Sequence, residues 1–223
     1  MLFDLRSRGR RRTVRVIYLG LALLMGGGLV LFGVGTGNGN GGLLNGLSNS
    51  GSNSAQHQVV DQQERAALSQ VKANPHSAAA WGSLVEAYWS TANQSPDLNS
   101  STGVYSAAGR RALTQATQAY SRYLTVAKQP DPNISILAAR TYVILRNWSG
   151  AAGAWENVAS AESNAPSAFE CLALTSYAAG QTSKGDLAAA KALSLIPKAS
   201  RFEFKQQFKA AKAAPTTAAA QDC

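Results

Sequence analysis

The sequence predicts an all-α fold: a short stack of helices behind a single amino-terminal membrane span. Hydrophobic residues make up 45% of the chain, and the commonest of them is alanine, which has the highest helix propensity. Val and Ile are few and scattered, which argues against a sheet. Apolar residues also recur at helical spacing, as in Trp81, Leu84, Val85 and Tyr88.

The net charge of +9 is concentrated at the amino terminus. The first 35 residues carry one acid, Asp4, and six arginines: Arg6, Arg8, Arg10, Arg11, Arg12 and Arg15. The remaining residues have 15 basic and 11 acidic side chains and form a mixed, solvated surface. A basic arm on nucleic acid is the alternative interpretation. The apolar segment that follows argues against it, so we expect no nucleic-acid partner.

Residues 16–35, "VIYLGLALLMGGGLVLFGVG", form an uncharged segment of 20 residues, and one helical span needs about 20. The arginines of residues 1–15 should stay in the cytoplasm and place the rest outside. A cleaved signal peptide, the alternative, needs a small-x-small site, and "FGVGTGNGN" offers no good one. The prediction is therefore an uncleaved, single-pass signal anchor in the cell membrane with an extracytoplasmic domain.

Residues 36–56 are rich in Gly, Asn and Ser and predict a flexible linker. About 20 such residues have a mean reach of roughly 25 Å. The linker should therefore hold the following domain close to the membrane.

Residues 57–213 predict a helical domain, and residues 214–223 a flexible, frayed tail. Breaks at prolines and glycines separate helices near 56–73, 77–92, 104–128, 133–146, 149–161, 167–179, 184–195 and 200–213. Ser200 and Glu203 match a capping box at the start of the last helix.

These helices resemble the tetratricopeptide repeat (TPR), a helix-turn-helix unit of about 34 residues. Trp81, Leu84, Val85 and Tyr88 fit the first helix of one unit, and Pro75 fits the end of a preceding one. The last unit is matched by Phe169, Leu172, Ala173, Gly180, Gly185, Ala192 and Pro197. The resemblance implies about three stacked units with covering helices at both ends. An irregular helical bundle is the alternative.

Two departures from the repeat pattern are visible. The first unit has 19 extra residues between Tyr88 and Ala116, within the loop "STANQSPDLNSSTG" and an added helix start at Val104. The middle unit carries Ser163 where the family has Pro, and it lacks the aromatic residue near its start.

The resemblance implies a concave groove lined by the first helix of each unit. Carried over by register, the candidate partner-binding residues are Glu86, Trp89, Ile136, Arg140, Val143, Glu170, Leu174 and Tyr177. This wall is largely apolar and suits an amphipathic helix or an extended apolar segment. Gly82 and Glu86 replace the Lys and Asn with which the family clamps chaperone carboxyl termini, so that ligand is disfavoured.

No catalytic or metal-binding constellation is apparent. His57 and His76 lack partners at metal-ligand spacing, and "GQTSKG" lacks P-loop spacing. Cys171 and Cys223 could form a disulfide outside the cytoplasm, but two free thiols are the ordinary expectation.

We therefore expect a non-enzyme without cofactor or small-molecule substrate: a membrane-tethered, TPR-like protein-binding scaffold of bacterial type. It would assist secretion, protein folding or envelope assembly. The alternative is a fixed structural subunit of a membrane complex.

Overall fold

The computed structural model describes residues 52–94 and 96–223. Its helices are α1 (Ser52–Ala73), α2 (Ala78–Ala92), α3 (Ala107–Val126), α4 (Pro132–Ile144), α5 (Trp148–Ala161), α6 (Pro166–Ala178), α7 (Thr182–Leu195), α8 (Arg201–Ala213) and α9 (Pro215–Asp222), with a 3-10 turn at Lys198–Ser200. A hairpin of two-residue strands, β1 (Leu98–Asn99) and β2 (Val104–Tyr105), precedes α3. The predicted all-α class is confirmed for this part of the chain.

Helix pairs α4–α5 and α6–α7 are two copies of one unit. The boundaries of the first pair, at positions 132, 144, 148 and 161, recur at one constant offset in the second, at 166, 178, 182 and 195. Pro132 and Pro166 occupy equivalent first-turn positions, where proline's fixed φ suits a helix start and its missing N–H costs nothing. The repeat period seen in the sequence is thus a period of the backbone.

The turn inside each unit repeats as well. Asn147 N donates to Tyr142 O at 2.8 Å, and Gln181 N donates to Ser176 O at 2.8 Å in the equivalent place one unit later. The residues before these donors, Arg146 and Gly180, have φ values of +57° and +73°. Both turns are Schellman motifs, which close a helix with one left-handed residue.

Polar side chains fix the starts of four helices. Ser77 caps α2, Ser106 caps α3, Asp131 caps α4 and Asn147 caps α5, each accepting from a backbone N–H of the first turn. These bonds satisfy amide groups that a helix leaves open at its start.

The predicted capping box at Ser200 is wrong, because the Ser200 side chain makes no cap bond. Ser200 belongs to the 3-10 turn instead.

The helices stack in chain order around one continuous core. α2 packs on α3, α4 on α5 and α6 on α7, while α3 meets α4 and α5 meets α6. A buried network joins three of these helices: the Tyr120 hydroxyl donates to Ser135 Oγ and accepts from Asn157 Nδ2, each at 3.0 Å. α6 is buried from Cys171 to Tyr177 without interruption, as expected for a helix surrounded by others.

The insertion in the first unit forms the hairpin and also lengthens the second helix of that unit: α5 and α7 have 14 residues each, whereas α3 has 20. The predicted start of this helix at Val104 is wrong, because Val104 and Tyr105 pair with Asn99 and Leu98 as an antiparallel ladder. Ser106 ties the hairpin to α3, since its hydroxyl donates to Asp97 Oδ1 at 2.7 Å.

The two ends of the described chain also differ from expectation. α1 begins at Ser52, so residues 52–56 are helical and do not end the linker. Residues 215–222 form α9 and not a frayed tail, because Ala219 is fully buried and Cys223 is bonded to Cys171. The expectation of two free thiols is wrong for the same reason.

No helix within residues 52–94 and 96–223 is long and apolar enough to cross a membrane. The predicted span, residues 16–35, and its basic flank lie outside the described residues.

Candidate partner-binding cleft

A cleft of about 530 Å³ lies between α1, α2 and α4. Its wall mixes amide, hydroxyl, carboxylate and apolar groups. The lining residues are Gln63, Ala66, Ala67 and Gln70 of α1, Ser83, Glu86, Ala87, Trp89 and Ser90 of α2, and Leu137 of α4. Its volume falls within the range of about 300–1,000 Å³ that is typical of ligand pockets.

The cleft exists because α1 packs loosely on the rest of the domain. Side chains meet, since Ala67 is buried and Leu68 and Val71 contact the core, but the α1 backbone stays apart from its neighbours. Thr91 Oγ1 donates to Glu64 Oε2 at 3.0 Å and ties the two helices at one point.

Hydrogen bonds hold the turn from α1 to α2. The indole Nε1 of Trp81 donates to Pro75 O at 2.8 Å and so bridges the segment between them. Ser77 N donates to Asn74 O at 3.1 Å, as Ala165 N donates to Glu162 O in the turn between α5 and α6. α1 therefore occupies the place of a second helix in a preceding unit.

Tyr88 lies behind the cleft, where it is buried in the core. Burial raises the pKa of its phenol, and the nearby Glu64 carboxylate raises this pKa further. Both effects disfavour the phenolate, because burial and a neighbouring negative charge penalise an anion. Tyr88 is thus a neutral structural side chain.

The structure brings two of the candidate residues, Glu86 and Trp89, into the cleft. Ile136 is half-buried and Arg140 is exposed on α4, but neither lines it. Leu137 lines it instead. This residue was missed because the family register selects the neighbouring Ile136.

The groove of the last unit is closed by the chain itself. Gln207 Nε2 on α8 donates to Glu170 Oε1 at 2.9 Å, and the disulfide fastens α9 to α6. Leu174 is 0% exposed, Tyr177 6% and Val143 8%. These three positions are shut off from a partner, contrary to expectation, because they pack within the core.

Glu170 retains partial exposure at this closed end. Burial raises the pKa of its carboxyl; the hydrogen bond from Gln207 opposes that rise, and Asp222 adds to it. Asp222 belongs to α9, so the charge of Glu170 depends on how α9 docks.

Within the part of the chain that the structure describes, no group of three His, Cys, Asp or Glu side chains could hold a metal ion. No protein-family model, curated protein or solved structure matches the chain significantly. The cleft is therefore interpreted from its own geometry.

Proposed function

We propose that this protein is a membrane-tethered, TPR-like scaffold that binds protein segments outside the cytoplasm through the cleft between α1, α2 and α4. The observation that carries the proposal is the cleft itself, in which Glu86 and Trp89 face α1 across about 530 Å³. A space of this size accepts a few side chains of a helix or an extended segment.

The TPR-like assignment is supported by the shared period of helix boundaries and turns. Stacked units of this kind bury a continuous core and use the first helix of each unit for binding. α2 and α4 are those helices in the first two units.

The extracytoplasmic assignment is supported by the Cys171–Cys223 disulfide, because disulfides persist chiefly in oxidising compartments. It agrees with the arginine-flanked apolar segment of residues 16–35. A tether reaching roughly 25 Å would raise the effective concentration of the cleft toward other membrane proteins.

A fixed subunit of a membrane complex is the second candidate. It is favoured by the closure of the groove at α6, where α8 and α9 occupy the surface that a transient client would use. In that role the remaining cleft would hold one permanent neighbour.

Site-specific photocrosslinking of the full-length protein in native membranes tests the proposal. A probe replaces Glu86 in the cleft, a second replaces Arg140, and a control probe replaces Gln118, which is exposed on α3. Many exported chains captured at residue 86 would support a client-binding scaffold. One stoichiometric membrane protein would support the subunit instead, and capture no greater than at residue 118 would overturn both.

Substitution of Trp89 by Ala separates the two candidates further. A scaffold should lose its clients while its own complex persists, because the cleft loses its largest apolar wall. A subunit should instead respond to changes in residues 16–35, through which it would contact neighbouring spans.

A further inference from the structure

Helix α8 has a well-defined inner face. Phe204, Gln207, Phe208 and Ala211 point toward the domain, with Phe208 4% and Ala211 2% exposed. The Gln207 bond to Glu170 fixes the rotation of the helix about its axis. The opposite face is therefore held toward solvent.

The outer face carries Phe202, Lys205, Gln206 and Lys209, which are all exposed. Their spacing of three, four and seven residues places them along one stripe. Phe202 is 72% exposed and is the one aromatic among the exposed large hydrophobic side chains of the described chain. The stripe therefore presents one aromatic ring to solvent beside two lysines.

The lysines on this stripe have no acidic partner among the described residues. The other cations of α8 are engaged: Lys212 pairs with Asp186, and the Arg201 guanidinium donates to Ile196 O and Ser194 O. Glu203 is the single acid of the helix, so the outer face is net positive.

We propose that the outer face of α8 binds the anionic lipid surface of the membrane, with the Phe202 ring in the interface and Lys205 and Lys209 at the headgroup phosphates. Attraction of lysines to anionic headgroups, together with burial of an apolar ring at the interface, favours binding to such a surface. Each lysine near an anionic leaflet strengthens binding about fivefold, equivalent to about 1 kcal/mol. A protein partner would need a broader apolar surface than one ring.

The inference goes beyond the cleft and rests on the proposed membrane location. It gives the tethered domain a fixed orientation on the bilayer, because α8 is rotationally locked to the core by Phe208 and Gln207.

The test uses the full-length chain reconstituted in vesicles of phosphatidylcholine, either alone or mixed with the anionic lipid phosphatidylglycerol. A polarity-sensitive fluorophore is attached under non-reducing conditions through Gln206→Cys, which leaves Phe202 and both lysines in place. The matched control is Gln118→Cys on α3, where Arg111 and Arg122 share the exposed stripe without an aromatic.

We expect a blue shift and quenching by lipid-attached quenchers at residue 206 with phosphatidylglycerol, and neither at residue 118. Adding Lys205→Gln and Lys209→Gln should reduce the ratio of surface-bound to unbound domain about 25-fold, following the fivefold effect per lysine. Phe202→Ser should remove the quenching while the helical signal of the domain is unchanged, because the Phe202 side chain lies outside the core.

Three results would overturn the proposal: no shift at residue 206, an equal shift at residue 118, or an equal shift caused by soluble polyglutamate without lipid. The last would assign the face to acidic proteins. Carbonate extraction of the same vesicles reports anchoring through residues 16–35 separately. Failure of the anchor is thereby distinguished from failure of the α8 surface, which is read by quenching at residue 206 in the vesicles that contain phosphatidylglycerol.

Discussion

Gly185 lies directly against the ring of Tyr177, so closely that a Cβ atom at residue 185 would overlap the ring. Gly150 lies against the Tyr142 ring in the same way, one unit earlier. In both units the second helix reaches the first because a glycine replaces a side chain at the crossing. This contact sets the spacing of the helices that frame the core.

Gly185→Ala should therefore destabilise the fold. The added methyl group must displace the Tyr177 ring, and such overpacking costs about 1–3 kcal/mol. Denaturant unfolding of the detergent-solubilised chain measures the change. Gly153→Ala is the matched control, because no atom beyond the adjoining helix backbone and chain neighbours lies within 4 Å of a Cβ there. Alanine at this helical site should stabilise the fold by about 1 kcal/mol, and destabilisation by both substitutions to the same extent would contradict the packing explanation.

Arg146→Gly should stabilise the fold by up to about 1 kcal/mol, because a left-handed backbone costs a side-chain-bearing residue about 1–2 kcal/mol and costs glycine little. Arg146 holds such a conformation, with a φ of +57°. Gly180→Ala, at the equivalent turn one unit later, should have the opposite effect. Thermal melts of both variants test this pair, and a loss of stability in Arg146→Gly would show that its side chain compensates for the backbone strain.

Reduction of the Cys171–Cys223 disulfide should lower the free energy of unfolding by roughly 4 kcal/mol, the loop-entropy value for a closed loop of this length spanning 52 residues. α9 should detach first, because its eight residues are too few for an independent helix and Ala219 is its one buried side chain. Hydrogen exchange of residues 215–222 with and without dithiothreitol measures the detachment.

Cys223→Ser serves as the control for this prediction. The variant should resemble the reduced chain and should not respond to dithiothreitol. Titration of thiols in the untreated protein should find none reactive, since both cysteines are paired. Two reactive thiols would contradict the disulfide.

Glu170 should make stability fall as the pH rises above the ordinary range of a carboxyl pKa. Burial raises the pKa of Glu170 in the folded chain, Gln207 opposes this, and Asp222 adds to it. The folded chain then binds the proton more tightly than the unfolded chain between the ordinary and the raised pKa. Unfolding releases a proton in that window, so the free energy of unfolding decreases as the pH rises through it.

Glu170→Gln should lack this step while keeping an acceptor for Gln207. Unfolding free energies of the two proteins between pH 4 and 8 provide the measurement. As the pH increases, the free energy of unfolding of the variant should rise relative to that of the unchanged protein. Parallel curves would show that the Glu170 carboxyl has the same proton affinity in both states.

Most of the helical framework could be predicted from the sequence, because its signals are local. Proline and glycine breaks located the ends of α4, α5, α6 and α7 closely, and the repeat period anticipated their recurrence. The helical spacing of Trp81, Leu84 and Tyr88 identified α2, and the turn before that helix is closed by the Trp81 bond to Pro75.

The availability of the groove could not be predicted in this way. Leu174 and Tyr177 have the residue types of a binding wall, yet α8 and α9 complete the core around α6. A register copied from a repeat assigns residues to a helix face but does not say what covers that face. The copied register also gave no sign that Leu137 lines the cleft beside α1.

The sequence by itself determined that the segments of α1 to α8 are helices, where most of them begin and end, and that two units share one period, since propensity, capping and turn chemistry act over a few residues. Only the tertiary structure decided that Cys223 reaches Cys171, that α9 covers the last unit, and that a cleft remains beside α2. Those outcomes depend on contacts between residues far apart in the chain, whose geometry follows from how all the helices pack at once.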